Sequence, residues 1–431
     1  MPPEYSLAKL KIKRKLAIIG GGISGMGAAL LLSPHYDVTL YEARNRLGGH
    51  ARTIMLGSNK DIAVDTGFMV FNHENYPHLK ALFQMLNTPI KASDMSFAAS
   101  IDDGKFEYGL QNIGRLFADP RNTINIRFWS MLKDILKFNH TALKRADSPD
   151  LTVGELIVKL GLSQEFKNRY LCPLAGAIWS TTPEEILKFP AQTLLQFFKN
   201  HGLLSVTGGP QWFTPDGGSQ VYVKKLQAYL VKLGCKIRTS EPICHVERGS
   251  NIIVHTQQTG LETFDEVIFA CHSDQALSLL KAPTQNERDV IGAIRYKKNQ
   301  VLLHGDTSQM PKRESCWASW NFSGKSDSAS HNSFTYWMNL LQSIPQEFPL
   351  FVTLNPQTSI DDNLIYNTTT LAHPQYDLSA LNAQKKIPSL QGLNNTWYCG
   401  AYTGYGFHED GLASGYEVAR LLLEKLELPH D

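Results

Sequence analysis

Leu16-Ala17-Ile18-Ile19-Gly20-Gly21-Gly22-Ile23-Ser24-Gly25, continued by Met26-Gly27-Ala28-Ala29-Leu30-Leu31-Leu32, is the stretch on which the fold turns. Four apolar residues stop at a glycine cluster, and the alanine- and leucine-rich run behind it favours a helix. Pro34 breaks that helix, and Asp37-Val38-Thr39-Leu40-Tyr41-Glu42 reads as a second strand. This is a βαβ unit with Gly20, Gly22 and Gly25 at the G-x-G-x-x-G positions, where a tight turn, close approach of a pyrophosphate and helix–strand packing each exclude a side chain. A pyrophosphate would sit at Ile23 and Ser24, where the first free N–H groups of the helix favour an anion. Glu42, with Ala43 beside it, is placed to accept hydrogen bonds from ribose hydroxyls. The fingerprint predicts a dinucleotide site and leaves NAD and FAD both open.

The next segment narrows the choice. Arg44-Asn45-Arg46-Leu47-Gly48-Gly49-His50-Ala51-Arg52-Thr53 sets a second glycine pair and several basic residues behind the acid, and Asp65-Thr66-Gly67-Phe68-Met69 follows. Here the chain resembles the flavin-containing amine oxidase superfamily, which includes monoamine oxidases, protoporphyrinogen oxidase and phytoene desaturases. Their pattern E-A-R-x-R-x-G-G-R wraps the flavin diphosphate and ribityl chain. The resemblance implies FAD, held by an α/β Rossmann-like domain of glutathione-reductase type with a second α+β substrate domain inserted. It assigns Glu42, Ala43, Gly48 and Gly49 to the cofactor, and Gly67, Phe68 and Met69 to the passage beside the flavin ring. His50 stands where the family usually has arginine, which exchanges a permanent cation for a titratable one. Arg52 is the candidate substitute.

Residues 91–205 read as mostly helical. Ile124, Ile126, Phe128, Trp129, Leu132, Ile135 and Leu136 recur at helical spacing, with Lys133, Lys137, Lys144 and Arg145 among or after them. Such a helix packs on its own domain, or it faces a membrane or an acyl chain. Leu194-Leu195-Gln196-Phe197-Phe198, with Leu203-Leu204, poses the same choice. Trp212 to Gly218 leads into a helix (Val221 to Leu233) and a strand (Lys236-Ile237-Arg238); the resemblance then maps an adenine-contacting valine to Val246. Phe264 to Ala270 is a buried-strand run, and residues 276–385 alternate short aromatic strands with loops. The expected division is therefore 1–90, 206–275 and 386–431 for FAD, and 91–205 and 276–385 for substrate.

Thr396-Trp397-Tyr398-Cys399-Gly400 reads as a strand ending in glycine, and a helix closes the chain to about Leu426. The superfamily ends alike, with a helix N-terminus that stabilises negative charge on the reduced flavin. This implies Gly400 at the cofactor and backbone N–H groups from Gly411 and Leu412. Ala401 departs from the acid that usually binds the ribityl chain. Tyr402, Tyr405 and Phe407 present aromatic faces to the ring or pack in a core. His408 is the candidate proton carrier because imidazole titrates near neutrality; capping or structural pairing is the other reading of His408-Glu409-Asp410. Lys298 is the second catalytic candidate, since relatives often place a lysine there to hold a water by the flavin N5. The alternative is an exposed strand-edge lysine.

At 431 residues the chain exceeds the size of a single core. A net charge of +2, with only the short basic lead Lys11, Lys13, Arg14, Lys15, offers no footprint for nucleic acid. Cysteines 172, 235, 244, 271, 316 and 399 contain no Cys-x-x-Cys pair, so they read as reduced thiols, and no metal is expected. The run Leu16 to Gly20 is too short for a secretory signal, and no stretch approaches the roughly 18 apolar residues of a spanning helix. The expected location is the cytoplasm, with peripheral contact at the inner face of the membrane if the substrate is lipid.

The ending Gly400 to Leu412 is similar to a bacterial group of predicted flavin-containing amine oxidases, and to the oxidase-like domain joined in plants to cyclopropane fatty acid synthases. That similarity implies a lipid acyl substrate and a lipid-modifying partner enzyme. The reading is an FAD-dependent oxidoreductase that moves a hydride or two electrons from a small molecule or lipid to flavin. Its rivals are an amine oxidase, a redox-neutral isomerase and a non-catalytic flavin-bound partner. An amine oxidase bleaches its flavin with simple amines, an isomerase consumes no acceptor, and a binding module never turns over.

Overall fold

Leu16, Ala17 and Ile18 are wholly shielded from solvent in the computed structural model, which describes residues 13–179, 182–204, 209–325 and 328–427. Lys11 of the basic lead and the expected domain boundary at 205/206 lie outside those residues. The strand Lys15–Ile19 is the centre of a five-stranded parallel sheet, ordered Lys236–Arg238, Asp37–Tyr41, Lys15–Ile19, Glu266–Phe269, Thr396–Tyr398. Inner strands of a parallel sheet are covered on both faces, which is why they read as continuous apolar runs. Their carboxyl ends bring Gly20, Glu42, Ala270 and Gly400 to one edge, although these residues come from distant parts of the chain.

The closing helix His408–Glu427 packs on the first helix, Ile23–Leu32. The contact is too close for side chains: a Cβ at Gly415 would fall 2.2 Å from the Ser24 carbonyl oxygen. The last helix is thus locked to the first turn of the dinucleotide unit.

A seven-stranded sheet forms the second layer system, ordered Ile365–Pro374, Tyr296–His304, Phe351–Leu354, Ser328–Trp337, Trp320–Lys325, Phe97–Ile101, Phe106–Gly109. Helices between residues 126 and 200 share its core through Phe128, Phe138, Phe166 and Phe198. The mostly helical reading of 91–205 fails at its start, where Phe97–Ile101 and Phe106–Gly109 form a hairpin. Asp102, Asp103 and Gly104 turn it with φ of +56°, +58° and +79°, which short polar side chains and glycine accommodate.

The two apolar helical stretches separate. Leu194, Leu195, Phe197 and Phe198 are buried, so the helix Ala191–Asn200 turns its apolar face to its own core. The helix Ile126–Arg145 is divided: Phe128, Met131, Ile135 and Phe138 are buried, whereas Ile126 is 85% and Trp129 51% exposed. The Asp65 carboxylate joins the two sheet systems. It accepts from the Ser219 amide (2.9 Å) and hydroxyl (2.7 Å), and from Gln342 Nε2 (2.9 Å) in the turn after the helix Met338–Leu341.

Candidate active site

A cavity of about 1400 Å³ opens where the parallel strands end. Gly20 (φ +117°) turns there so tightly that a Cβ would lie 2.7 Å from the Ala270 carbonyl oxygen. A Cβ at Gly25 would fall 2.0 Å from the Gly20 oxygen, so this glycine packs the helix and does not line the cavity. Gly22 is different: a Cβ there meets nothing nearer than the Gly49 Cα at 4.0 Å and would project into open cradle. Ile23, Ser24, Ala43, Gly48 and Gly49 complete this end. The Glu42 carboxylate accepts from the Gly21 amide (2.9 Å) and the Arg44 amide (2.9 Å), so it organises the loop as well as facing the ribose position. Arg46 donates to the Leu47, Gly49 and Ala51 carbonyls and holds the second glycine loop in shape. The free helix N-terminus and the open cradle over Gly22 fit a dinucleotide pyrophosphate, and the cavity continues from there to Gly67, Phe68 and Gly400.

Several expected contacts lie elsewhere. Arg52 points away from the cavity and donates to Thr66 Oγ1 (2.8 Å) and Asn367 Oδ1 (2.8 Å), so it ties the two sheet systems together instead of replacing the family arginine. Val246 is buried in a core; Ile243, three residues earlier, lines the adenine end with Glu241 and Pro242. The Gly411 amide is spent on the Phe407 carbonyl at 3.1 Å. Gly411 instead lets the closing helix approach Ile23 and Ser24, and Leu412 fills the core over Gly27. The helix begins at His408, so its free first-turn amides precede the expected ones.

His408 lines the cavity, stacks on Phe68 at 4.0 Å and lies 2.5 Å from the Tyr222 hydroxyl through Nε2. Burial, with His50 nearby, lowers its pKa to about 3. The imidazole is therefore neutral near pH 7, in contrast to the expectation of a group titrating near neutrality. Glu409 accepts from the His78 and Leu79 amides, and Asp410 from the Phe407 amide; both serve as caps. Lys298 lies on the strand Tyr296–His304 opposite Ala372, with Lys298 lining the cavity.

Three further imidazoles stand at the cofactor end. The His50 ring is 5.5 Å from His272 and 5.6 Å from His373, and its Nε2 lies 3.2 Å from the Ala372 carbonyl. His272 stacks on Tyr296 at 4.4 Å, and Asn299 holds His373 Nδ1 at 2.8 Å. Burial lowers His50 and His272 to about 4 and His373 to about 3, with the neighbouring imidazoles adding to it. Sequence reading missed His272 and His373. The signal for His272 was available, since residues just past the carboxyl end of a parallel strand face the ligand. His373 carried none.

A pH dependence follows. In the free protein His50 is neutral above about pH 4, and an anionic pyrophosphate bound beside Gly49 raises that value. The proton so gained contributes affinity that is fully present below pH 4 and is lost as pH rises through the higher value of the complex. FAD affinity should fall as pH rises above about 4, by up to about tenfold per pH unit per proton. His50→Arg should flatten the profile, because guanidinium stays charged. Equal slopes for the two proteins in fluorescence titrations would refute this.

From the cradle the cavity runs past Gly67, Phe68, Met69 and Gly400 into an arm walled by Tyr170, Leu174, Ile178, Trp179, Phe197, Trp320 and Tyr336. Tyr402, Tyr405 and Phe407 border it, with Phe407 stacked on Phe197 at 4.9 Å. Asp94 is the acid of this arm. It is taken up by the Ser96 amide (2.8 Å) and the Ser319 hydroxyl (2.7 Å).

The profile of the family described as flavin containing amine oxidoreductase matches residues 23–301, well over half of the chain. Over 89 residues, 20% of the chain, it is 42% identical to the FAD-dependent oxidoreductase dbaF of Emericella nidulans. That match spans 18% of dbaF, and the other curated relatives are matched over still smaller shares of their length. Among solved structures, cyclohexylamine oxidase from Brevibacterium oxydans superposes with a TM-score of 0.66 at 16% identity, over 96% of this chain and all of that one. A fatty acid isomerase from P. acnes gives 0.65 at 14%, over 96% and 99%. With its βαβ cradle, its second glycine loop and this family match, the chain belongs to the flavin containing amine oxidoreductase family and takes FAD as its cofactor.

Proposed function

We propose that the chain is an FAD-dependent oxidoreductase acting on the acyl chain of a lipid presented at a membrane surface. The carrying observation is the course of the cavity. It leaves the cofactor cradle and follows the apolar arm to Leu110 and Ile135. On the same helix as Ile135, but on the opposite face, Ile126 (85%) and Trp129 (51%) are exposed, with Ile124 (85%) just ahead of them. Exposed apolar side chains grouped on one stripe mark an interaction surface.

Bound FAD supplies the acceptor for a hydride or two electrons. The protein's own part is positional: Trp179, Phe197 and Trp320 exclude water along the arm, Phe407 closes over it, and His408 is held in one orientation by Phe68 and Tyr222. No helix among the described residues is long and apolar enough to cross a membrane, so docking would be peripheral.

The test is anaerobic flavin bleaching by unsaturated phospholipid in mixed micelles, run beside simple primary amines, with product mass and double-bond position determined. Bleaching by lipid supports the proposal. Bleaching by amine alone moves the function to amine oxidation, and rearranged lipid without net reduction moves it to isomerisation.

A further inference from the structure

The strands Ile243–Arg248 and Ile252–Thr256 pair antiparallel, with a break in register between Ile243 and His245. Beyond that bulge His245 stands directly opposite His255, and Glu247, two residues on, shares their face. Val246 and Val254 point the other way, into the core. The imidazoles stack with centroids 3.8 Å apart. Their Nε2 atoms lie 3.4 Å (His245) and 3.0 Å (His255) from the same Glu247 Oε1, and ligand atoms of all three residues fall within 4.8 Å of one another. His255 Nε2 is buried and, despite its 3.0 Å separation, has no hydrogen-bond partner.

Nitrogen and oxygen ligands at about 2.0–2.2 Å from a tetrahedral ion stand about 3.3–3.5 Å apart. Both histidine–carboxylate separations are close to that spacing before any ion arrives, because a cross-strand pair and an i, i+2 neighbour converge on one face of a sheet. Two imidazoles and one carboxylate suit zinc, nickel or copper, whereas magnesium prefers oxygen ligands and water.

We propose that His245, Glu247 and His255 bind one divalent ion of the zinc class, with water completing its coordination, and so clamp the two strands together. Lys281 Nζ, 2.7 Å from Glu247 Oε1 and exposed, is the cation that the ion displaces. Since the first of these strands begins at Ile243, which lines the adenine end of the cavity, the clamp stiffens that wall. Cysteine spacing gave no hint of this site, because its ligands meet only through strand pairing.

The test uses the FAD-loaded protein, stripped with chelator and titrated calorimetrically with zinc chloride. One equivalent of zinc is expected to bind, with no heat from magnesium chloride. His245→Ala and His255→Ala should each weaken zinc by more than the roughly 10–100-fold that loss of an outer-shell partner costs. Lys281→Ala should bind zinc more tightly than wild type, which a non-specific surface histidine would not show. The flavin spectrum reports that each variant is folded. Absence of zinc binding by the wild type, or affinity unchanged in both histidine variants, would overturn the assignment.

Discussion

Gly22→Val is expected to fold normally and to purify without flavin. The backbone tolerates the change, because a Cβ at this position meets nothing within 4.0 Å except the Gly49 Cα at that distance. The valine methyl groups then stand in the cradle and keep a pyrophosphate from the first-turn amides of the helix Ile23–Leu32. Hydrogen bonds to charged groups contribute about 1.5–3 kcal/mol each. Loss of two costs about 3–6 kcal/mol, on the order of 10²–10⁴ in Kd. Gly25→Val is the informative contrast: its Cβ would fall 2.0 Å from the Gly20 oxygen, so that variant should lose the fold along with the cofactor. Circular dichroism and flavin absorbance separate the two outcomes. Equal flavin content in wild type and Gly22→Val would refute the cradle.

The second large effect is expected on the exposed stripe of the helix Ile126–Arg145. Ile126, Trp129, Lys133 and Leu136 follow one stripe of the helix Ile126–Arg145, and all four are exposed. Ile124 stands just ahead of them. Each apolar side chain that enters a bilayer contributes up to about 1.5–3 kcal/mol, and each nearby lysine about 1 kcal/mol at an anionic surface. Replacing Ile124, Ile126 and Trp129 together by glutamine should therefore weaken co-sedimentation with anionic vesicles by about 10³-fold or more. Salt should weaken only the lysine part. The helix core is untouched, because Phe128, Met131 and Phe138 lie on the opposite face. Wild-type protein that ignores vesicles at every salt concentration, or a triple variant that sediments with them undiminished, would remove the membrane from the proposal.

Local patterns along the chain specify the cradle. A four-residue aliphatic run, glycines at fixed offsets and an acid at the next strand end specify a βαβ cradle, since each requirement falls within some twenty-five consecutive residues. Strand Glu266–Phe269 was legible in the same way, through the apolar run Val267 to Ala270. The tertiary structure alone decided matters that depend on direction and company. The resemblance put Arg52 and Val246 at the cofactor, yet Arg52 turns to Thr66 and Asn367, and Val246, three positions beyond Ile243, points to the core face of its strand. Gly411 was read as an amide donor; helix crossing made it a contact point, because a Cβ there would lie 3.0 Å from Ile23 and 3.1 Å from Ser24. His408 looked titratable in isolation, and only burial between Phe68 and Tyr222 makes it neutral. His50, His272 and His373 come from three distant segments, and desolvation in a shared cavity, which no single segment encodes, sets their charge.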